Sequence, residues 1–450
     1  MKRIIVQFGG TGDLALKKLY PAYADLIAKG FDFHVLALGR RFADRPAFIA
    51  AMIDKDSPAP FLDRLQYLSY DMEDSRAPVL LAERLKQMIA SEHEVELIYY
   101  MALQPSLYED AIRQIQTTDS AISCTCKLVK KIVVEKPFGF DYESAARYNA
   151  ILETAFSDKE IFRIDHYLGK EFMQNLLLMR FHNDIIRSIW DNRSIESIQI
   201  IFDETHGVDQ RLGFYEKIGV VRDTIQNHIM QVVTYLTMNE PATLSPEDIA
   251  VEKVKVLRAV APIKDFHMGR YESLGATSGH IVDIPTYAAF KLTVDTYYFA
   301  GIPIYVRTGK MQKEATSLIY VKFKNTTGKV MHDASIAENA VIITIHPELT
   351  IDISMNLKDP GSSWKSKPVR FRFNQAETFG ANTPEAYEQI VQKILQGDKS
   401  LFPTMREIAQ AWRIVEPMLA GNQSLEVYPV RTLPVFAKRL AKENDFEWFA

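Results

Sequence analysis

Cysteine is nearly absent. Cys124 and Cys126 are the only two in 450 residues. One C-x-C pair builds neither a disulfide framework nor a zinc site, so reduced thiols in an intracellular protein are expected. Neither sign of charge is in excess: 53 Lys and Arg stand against 57 Asp and Glu, a net charge of −4. That excludes the basic balance of a nucleic-acid binder and leaves room for a local pocket that takes a small anion. No apolar run reaches the roughly 18 residues that span a bilayer. The first residues enter IIVQF at once, without the apolar core and small-residue cleavage site of a signal peptide. No repeat and no low-complexity tract interrupts the chain. The expectation from these absences is a cytoplasmic globular protein with neither a membrane nor a nucleic-acid partner. Its apolar (47%) and charged (24%) fractions are ordinary, and its length suits two or three domains.

What is present begins with a rhythm. Short apolar runs at 4–8, 33–38, 97–103, 131–134 and 160–164 alternate with segments of helical period at 13–29, 76–91, 106–116 and 142–156. Such alternation predicts a doubly wound parallel sheet. After about residue 165 the pattern changes. Helices are expected at 171–181, 219–238 and 246–258. Alternating strands follow at 288–298, 304–308, 317–324 and 341–355, the last broken at His346-Pro347-Glu348, and helices return at 384–396 and 405–419. The predicted architecture is an α/β Rossmann-like domain over 1–164 and a larger α+β domain with a broad, mainly antiparallel sheet over 165–450.

Chemistry concentrates in a few strings. The first strand runs into Gly9-Gly10-Thr11-Gly12-Asp13-Leu14, a tight glycine turn before a helix start, which is dinucleotide geometry. The second ends in Gly39-Arg40-Arg41 rather than in an acid. A guanidinium there suits the 2′-phosphate of NADP over the 2′-hydroxyl of NAD. Glu135-Lys136-Pro137 closes a later strand, where ligands of open α/β sheets bind, with an X-Pro bond open to the cis form. RIDHYLGKE, residues 163–171, packs an acid, an imidazole, a phenol and an ammonium into six consecutive positions. His166, Tyr167 and Lys170 are donors suited to phosphate. On a helix His166 and Lys170 would share a face, and Asp165 is an acceptor suited to orienting a base. The polar stretch Arg222 to His228 sits in an otherwise apolar predicted helix. Glu204 and Arg307-Thr308-Gly309-Lys310 each follow a predicted strand. His206 and the other histidines show no metal-ligand spacing.

Taken in order, these strings resemble the glucose-6-phosphate dehydrogenase family. The resemblance rests on GGTGDLALKKLYP (9–21), VVEKPFG (133–139), RIDHYLGKE (163–171), RDTIQNHIMQ (222–231) and VRTGK (306–310), with weaker likeness at EKVKVLRA (252–259) and EAYEQIVQKILQGD (385–398). It implies oxidation of C1 of glucose 6-phosphate to 6-phosphogluconolactone with hydride transfer to NADP, the entry step of the pentose phosphate pathway. It implies that His228 is the general base, with Asp165 orienting its imidazole. By the same resemblance His166, Tyr167 and Lys170 grip the phosphate, and Glu204, Asp223, Lys136 and Lys310 hold sugar hydroxyls. Gly9, Thr11, Gly12, Asp13, Leu14, Arg40, Leu103 and Tyr108 match cofactor positions, and Lys136 also lies near the nicotinamide. A homodimer or homotetramer is implied, and no metal, because hydride and proton both have acceptors. Three positions depart from the family pattern: Gln104, His206 and Ala315. They leave open a dehydrogenase of a different aldose or aldose phosphate. A non-catalytic NADP(H)-binding sensor is the further alternative, opposed by the presence of Asp165, His166, Lys170 and His228.

Overall fold

The computed structural model describes all residues except 91, 123–125, 209–211, 276–281, 326–336, 363–364, 381–384, 421–424 and 450. The chain forms two compact units. The first comprises Met1–Lys170 together with Leu244–Ala250 and Pro384–Ala409. Where the sequence suggested one boundary at 164/165, residues 165–170 belong to this unit, and two segments return to it from far along the chain.

Its sheet has six strands: β1 (Lys2–Phe8), β2 (His34–Gly39), β3 (Leu65–Ser69), β4 (Glu94–Met101), β5 (Lys127–Val134) and β6 (Ile161–Arg163). They lie in the order β3-β2-β1-β4-β5-β6, every neighbouring pair parallel. Helices cover a parallel sheet on both faces, so its central strands are apolar almost throughout; Ile4, Val6, Leu36, Leu97 and Ile98 are fully buried. Strand order reverses between β1 and β4, and the crevice beyond the carboxyl ends there is where open α/β sheets bind ligands. β3 and the helices Arg45–Met52 and Ala59–Arg64 had no clear sequence signal, because elements this short display no period. The first of them has a local start signal all the same: the Asp44 side chain accepts from Ala47 N at 2.9 Å, with Pro46 in the opening turn.

The helix after the glycine turn opens with wide turns at Ala15–Leu19 and continues regularly over Tyr20–Ala28. The returning helix Ala386–Gln396 packs beside it, and Lys29 pairs with Glu388. Cys126 is disulfide-bonded, against the expectation of reduced thiols; Cys124 lies outside the described residues.

The second unit comprises Glu171–Thr243, Val251–Thr383 and Gln410–Ala450. Its strands are β7 (Ile195–Asp203), β8 (Phe266–Tyr271), β9 (Tyr287–Leu292), β10 (Ile304–Gly309), β11 (Thr316–Phe323), β12 (Ala340–His346), β13 (Thr350–Lys358), β14 (Ser366–Asn374) and β15 (Glu426–Tyr428). The sheet runs β14-β13-β12-β11-β7-β10-β9-β8-β15. Neighbours are antiparallel except β7 with β10 and β8 with β15. The alternation at 288–298 overstates β9, which ends at Leu292; Val294 then makes an isolated bridge to Val260. The helix expected over 219–238 is two-part, with wide turns over Val221–Ile229 before a regular segment Met230–Thr237. The C-terminal tail closes against the sheet. Phe446 stacks on Tyr305 with ring centres 3.7 Å apart, and Phe449 on Tyr320 at 4.6 Å. Gln199 brackets the tail, donating to Glu447 O and accepting from Phe449 N, both at 2.8 Å. Among the described residues no helix is long and apolar enough to cross a membrane.

Candidate active site

In the first unit the residues singled out by sequence gather at one edge, the carboxyl ends of the parallel strands. Gly9 follows β1, Arg40 follows β2, Leu103 lies just beyond β4, Lys136 beyond β5 and Asp165 beyond β6. The glycine turn is pressed between the ends of β4 and β2. A Cβ at Gly9, whose φ is +69°, would overlap the Ala102 carbonyl oxygen. One at Gly10 would stand 2.9 Å from Ala37 Cβ, and one at Gly39 would stand 2.7 Å from Thr11 Cγ2. With no side-chain bulk in the turn, Gly12 and Asp13 are left exposed and Leu14 half-buried at the start of the helix. First-turn N–H groups lack intrahelical acceptors, so this geometry fits the pyrophosphate of a dinucleotide. Arg40 is exposed at the β2 end, as a 2′-phosphate contact requires. Tyr108 differs from its neighbours in being fully buried, with its hydroxyl donating to the Glu135 carbonyl at 3.2 Å. Its polar tip supports the Glu135-Lys136 segment.

RIDHYLGKE folds as a strand end followed by tight turns. Arg163 is buried against Asn149, Asp158 and the Phe138 ring. Asp165 Oδ1 accepts from Tyr167 N at 3.0 Å, Leu168 N donates to Asp165 O at 3.0 Å, and Lys170 N donates to Tyr167 O at 3.0 Å. The shared helical face imagined for His166 and Lys170 is therefore not how they are arranged; the helix begins at Glu171. The turns leave His166, Tyr167 and Lys170 half-buried, with Lys170 Nζ 3.8 Å from the centre of the Tyr167 ring. Asp165 itself is only 2% exposed.

Glu135, one residue before Lys136, is buried with Oε1 accepting from Tyr100 at 2.7 Å and Oε2 accepting from Tyr387 at a long 3.4 Å. Burial pushes its carboxyl up to about 7, against those two hydrogen bonds and the Lys136 charge, which pull it down. The Lys136–Pro137 bond is cis. A raised carboxyl pKa means that the native state holds the proton more tightly than the unfolded chain. Stability from this group is therefore complete below about pH 4.5 and falls as pH rises to about 7, by roughly 3 kcal/mol in all. Glu135→Gln removes that dependence, so the melting-temperature difference between variant and wild type grows across this window and levels off above it. Thermal melts at pH 4.5 to 8 measure it, and a pH-independent difference would contradict the assignment. Asp203 is also pushed up, to about 6, by burial despite Arg307; it is common to both proteins and cancels in the comparison.

In the second unit three sequence-selected residues meet. β7 and β10 are parallel neighbours with Asp203 opposite Gly309. Their following residues, Glu204 and Lys310, therefore emerge side by side, and Glu204 N donates to Gly309 O at 2.8 Å. Lys310 Nζ lies 3.0 Å from both Glu204 carboxylate oxygens and 3.2 Å from Asp223 Oδ2, and 5.4 Å from the Tyr215 ring centre. It is 3% exposed. Burial opposes its charge, but Asp223 and Glu204 outweigh burial and hold the ammonium above its ordinary value. The Lys310 backbone is equally held: its carbonyl accepts from Tyr428 Oη at 2.9 Å and Gln312 Nε2 at 3.2 Å. Gly309 is required, since a Cβ there would overlap the Tyr287 ring. Asp223 and His228 both fall in the wide-turned run Val221–Ile229. Its i→i+5 bonding brings residues five apart closer to one face than a regular helix does, a device common at functional sites. His228 is 3% exposed, and its backbone N–H donates to the Asn227 side chain at 2.7 Å.

Sequence reasoning missed Tyr387 and Glu135 as members of the first cluster. The string EAYEQ stood in a weakly matching segment, and no spacing rule links it to residues 135 and 166. It also could not join Lys310 to Glu204, which depends on strand order, or to Asp223, which lies on a separate helical run.

A doubly wound sheet with a dinucleotide turn, joined in one chain to a broad sheet carrying a buried lysine between two carboxylates, defines a nicotinamide-dependent oxidoreductase. Two family models match successive parts of the chain: the glucose-6-phosphate dehydrogenase NAD binding domain over residues 6–175, and the C-terminal domain of the same enzyme over 177–449. The chain belongs to the glucose-6-phosphate dehydrogenase family. It is 33% identical over 457 residues to glucose-6-phosphate 1-dehydrogenase of Bacillus subtilis, covering 94% of this chain and 93% of that one. It is 32% identical to the cytoplasmic glucose-6-phosphate 1-dehydrogenase 6 of Arabidopsis thaliana, covering 98% and 90%. Among solved structures, a glucose-6-phosphate dehydrogenase in complex with its substrate glucose 6-phosphate matches with a TM-score of 0.91 at 29% identity, covering 100% of this chain and 98% of that one. The enzyme from Mycobacterium avium matches at 0.84 and 26%, with the same coverage.

Proposed function

We propose that this protein oxidises C1 of glucose 6-phosphate to 6-phosphogluconolactone with NADP as the hydride acceptor. The observation that carries the reading is the turn at 165–170. It sets three phosphate donors, His166, Tyr167 and Lys170, at the carboxyl edge of a sheet whose first turn fits a dinucleotide. Bound nicotinamide supplies the acceptor for the hydride. His228 takes the C1 hydroxyl proton, and Asp165 is the carboxylate that favours the imidazolium. The phosphate, distant from C1, supplies binding energy that sets the register of the sugar. Glu204, Asp223, Lys310 and Lys136 receive the sugar hydroxyls, with the two carboxylates accepting and the lysines donating. Arg40 meets the 2′-phosphate, and Gly9, Thr11, Gly12, Asp13, Leu14 and Leu103 line the dinucleotide. A homodimer or homotetramer completes the proposal, and the cytoplasmic relative from Arabidopsis supports a cytoplasmic location.

Steady-state kinetics over a matrix of aldose phosphates and free aldoses, each with NADP and NAD, test this directly. Glucose 6-phosphate with NADP should give the highest kcat/KM. A clear preference for another aldose phosphate would reassign the substrate, the second reading that Gln104, His206 and Ala315 favour. Two variants sharpen the test. Lys170→Ala raises KM for glucose 6-phosphate at least about tenfold, the worth of one charge-assisted hydrogen bond, and leaves free glucose within about twofold. Equal effects on both sugars would remove the phosphate contact. Arg40→Ala weakens NADP about tenfold or more while NAD use stays nearly constant, and parallel losses would reject the 2′-phosphate role.

A further inference from the structure

Tyr387 has no role in the chemistry above, yet it reaches the centre of the phosphate turn. It lies in the first turn of the helix Ala386–Gln396. That helix is tied down along its length, by Lys18 to Glu385 at 2.8 Å, by Lys29 to Glu388, and by Lys131 Nζ to the Ile394 carbonyl at 2.8 Å. Its start is also pressed against the phosphate turn, for a Cβ at Gly169 would stand 2.7 Å from the Ala386 carbonyl oxygen. Glycine at 169 is what permits the approach.

From this fixed base Tyr387 makes two contacts. Its ring lies parallel to the His166 imidazole, 10° between planes and 6.4 Å between centres, an offset stack. Its hydroxyl donates to Glu135 Oε2 at 3.4 Å, while Glu135 Oε1 accepts from Tyr100 and the Glu135 carbonyl accepts from Tyr108. Glu135 is bonded directly to Lys136. One connected path thus runs from Lys136 through Glu135 and Tyr387 to His166.

We propose that Tyr387 is a positioning residue for phosphate recognition, backing the His166 imidazole and tying it through Glu135 to the segment that carries Lys136. The inference rests on the reading of His166 as a phosphate ligand. A half-buried imidazole in a turn has more than one rotamer open to it. The flat phenol of Tyr387, with the Tyr167 ring 5.2 Å from the imidazole on centres, narrows that choice. The hydroxyl bond to Glu135 in turn stops the phenol from sliding. Loss of Tyr387 therefore acts on the binding of phosphorylated ligands and only weakly on chemistry at C1. A tyrosine that merely packed its helix would change melting temperature and treat all substrates alike.

The test uses the full-length protein and the variants Tyr387→Leu, Tyr387→Phe and Glu135→Gln. KM and kcat are measured for glucose 6-phosphate and for free glucose. Affinity for inorganic phosphate is measured by calorimetry, and melting temperature is recorded in parallel. Tyr387→Leu should raise KM for glucose 6-phosphate by roughly three- to tenfold, the range an aromatic pair of this kind is worth, and weaken inorganic phosphate similarly. KM for glucose should stay within about twofold, and kcat should change less than KM. Tyr387→Phe keeps the ring and should fall between wild type and Tyr387→Leu; Glu135→Gln should shift KM in the same direction as Tyr387→Phe. Equal KM changes for both sugars, or a change in melting temperature alone, would overturn the proposal. Failure of the functional reading looks different: the wild type would not turn over glucose 6-phosphate at all. Phosphate calorimetry then decides the inference alone, and equal affinity in wild type and Tyr387→Leu, or none in either, rejects it.

Discussion

Replacement of His228 by asparagine lowers kcat at least about a hundredfold and moves KM for glucose 6-phosphate by no more than a few-fold. A positioned general base contributes on the order of 10² to 10⁴ in rate, and that contribution is made in the transition state, so it falls on kcat. Asparagine keeps a polar group of similar reach in a site where the residue is 3% exposed, which avoids the cavity that alanine would leave. Asp165→Asn should lower kcat in the same direction, since in the proposed mechanism its carboxylate favours the imidazolium and an amide does not. If the two act as one unit, the double variant is no worse than His228→Asn alone. Steady-state kinetics on the three variants check this. An unchanged kcat in His228→Asn removes the residue from the role, and fully additive losses separate Asp165 from it.

Gly9→Ala abolishes nicotinamide cofactor binding, whereas Gly30→Ala leaves it intact. Both glycines have positive φ, +69° and +89°, so alanine at either pays about 1 to 2 kcal/mol for a left-handed backbone. Their surroundings differ. Nothing lies within 4 Å of a Cβ at Gly30, which ends the helix Tyr20–Ala28 by donating to the Ile27 carbonyl at 3.0 Å. A Cβ at Gly9 overlaps the Ala102 carbonyl oxygen, and backbone cannot step aside as a flexible side chain does. The turn must open, and the helix start moves away from the ends of β1 and β4. Fluorescence titration with NADP, alongside thermal melts, measures both effects. Gly30→Ala should lower the melting temperature by only a few degrees with wild-type affinity. Similar affinity in the two variants would mean that the close approach at Gly9 does not matter to the cofactor.

Much of this was legible because the relevant signals are local. The apolar runs of β1, β2, β4 and β5 and the glycines between strand and helix announce a parallel sheet, since burial on both faces leaves no polar alternation. The helices Glu171–Phe181 and Met405–Leu419 fall on the expected bounds, the second with a strongly apolar face. The break at His346-Pro347-Glu348 likewise separated β12 from β13. Errors arose where a local signal was weak or had two readings. β3 and the helices before it are too short to show a period. Residues 165–170 have helical spacing but are held in turns by the Asp165 side chain and carbonyl. The alternation past Leu292 continued after its hydrogen-bonded partner had ended.

The sequence by itself determined the family and the two sheet types, because each rests on patterns and motifs within a few positions. Only the tertiary structure decided which of the candidate site residues meet. Lys310 stands beside Glu204 because β10 lies parallel to β7, a choice of strand order that no local pattern encodes, and Asp223 reaches it from the separate helical run Val221–Ile229. Tyr387 backs His166 because a late helix returns to the first sheet and finds room at Gly169. Glu135 takes hydrogen bonds from tyrosines of three separate elements, and burial there, against the Tyr100 and Tyr387 bonds, pushes its carboxyl up to about 7. Periodicity reports which face of an element is apolar. It carries no information on which distant face will cover it, and the charges, packing and hydrogen bonds of this site are settled by that covering.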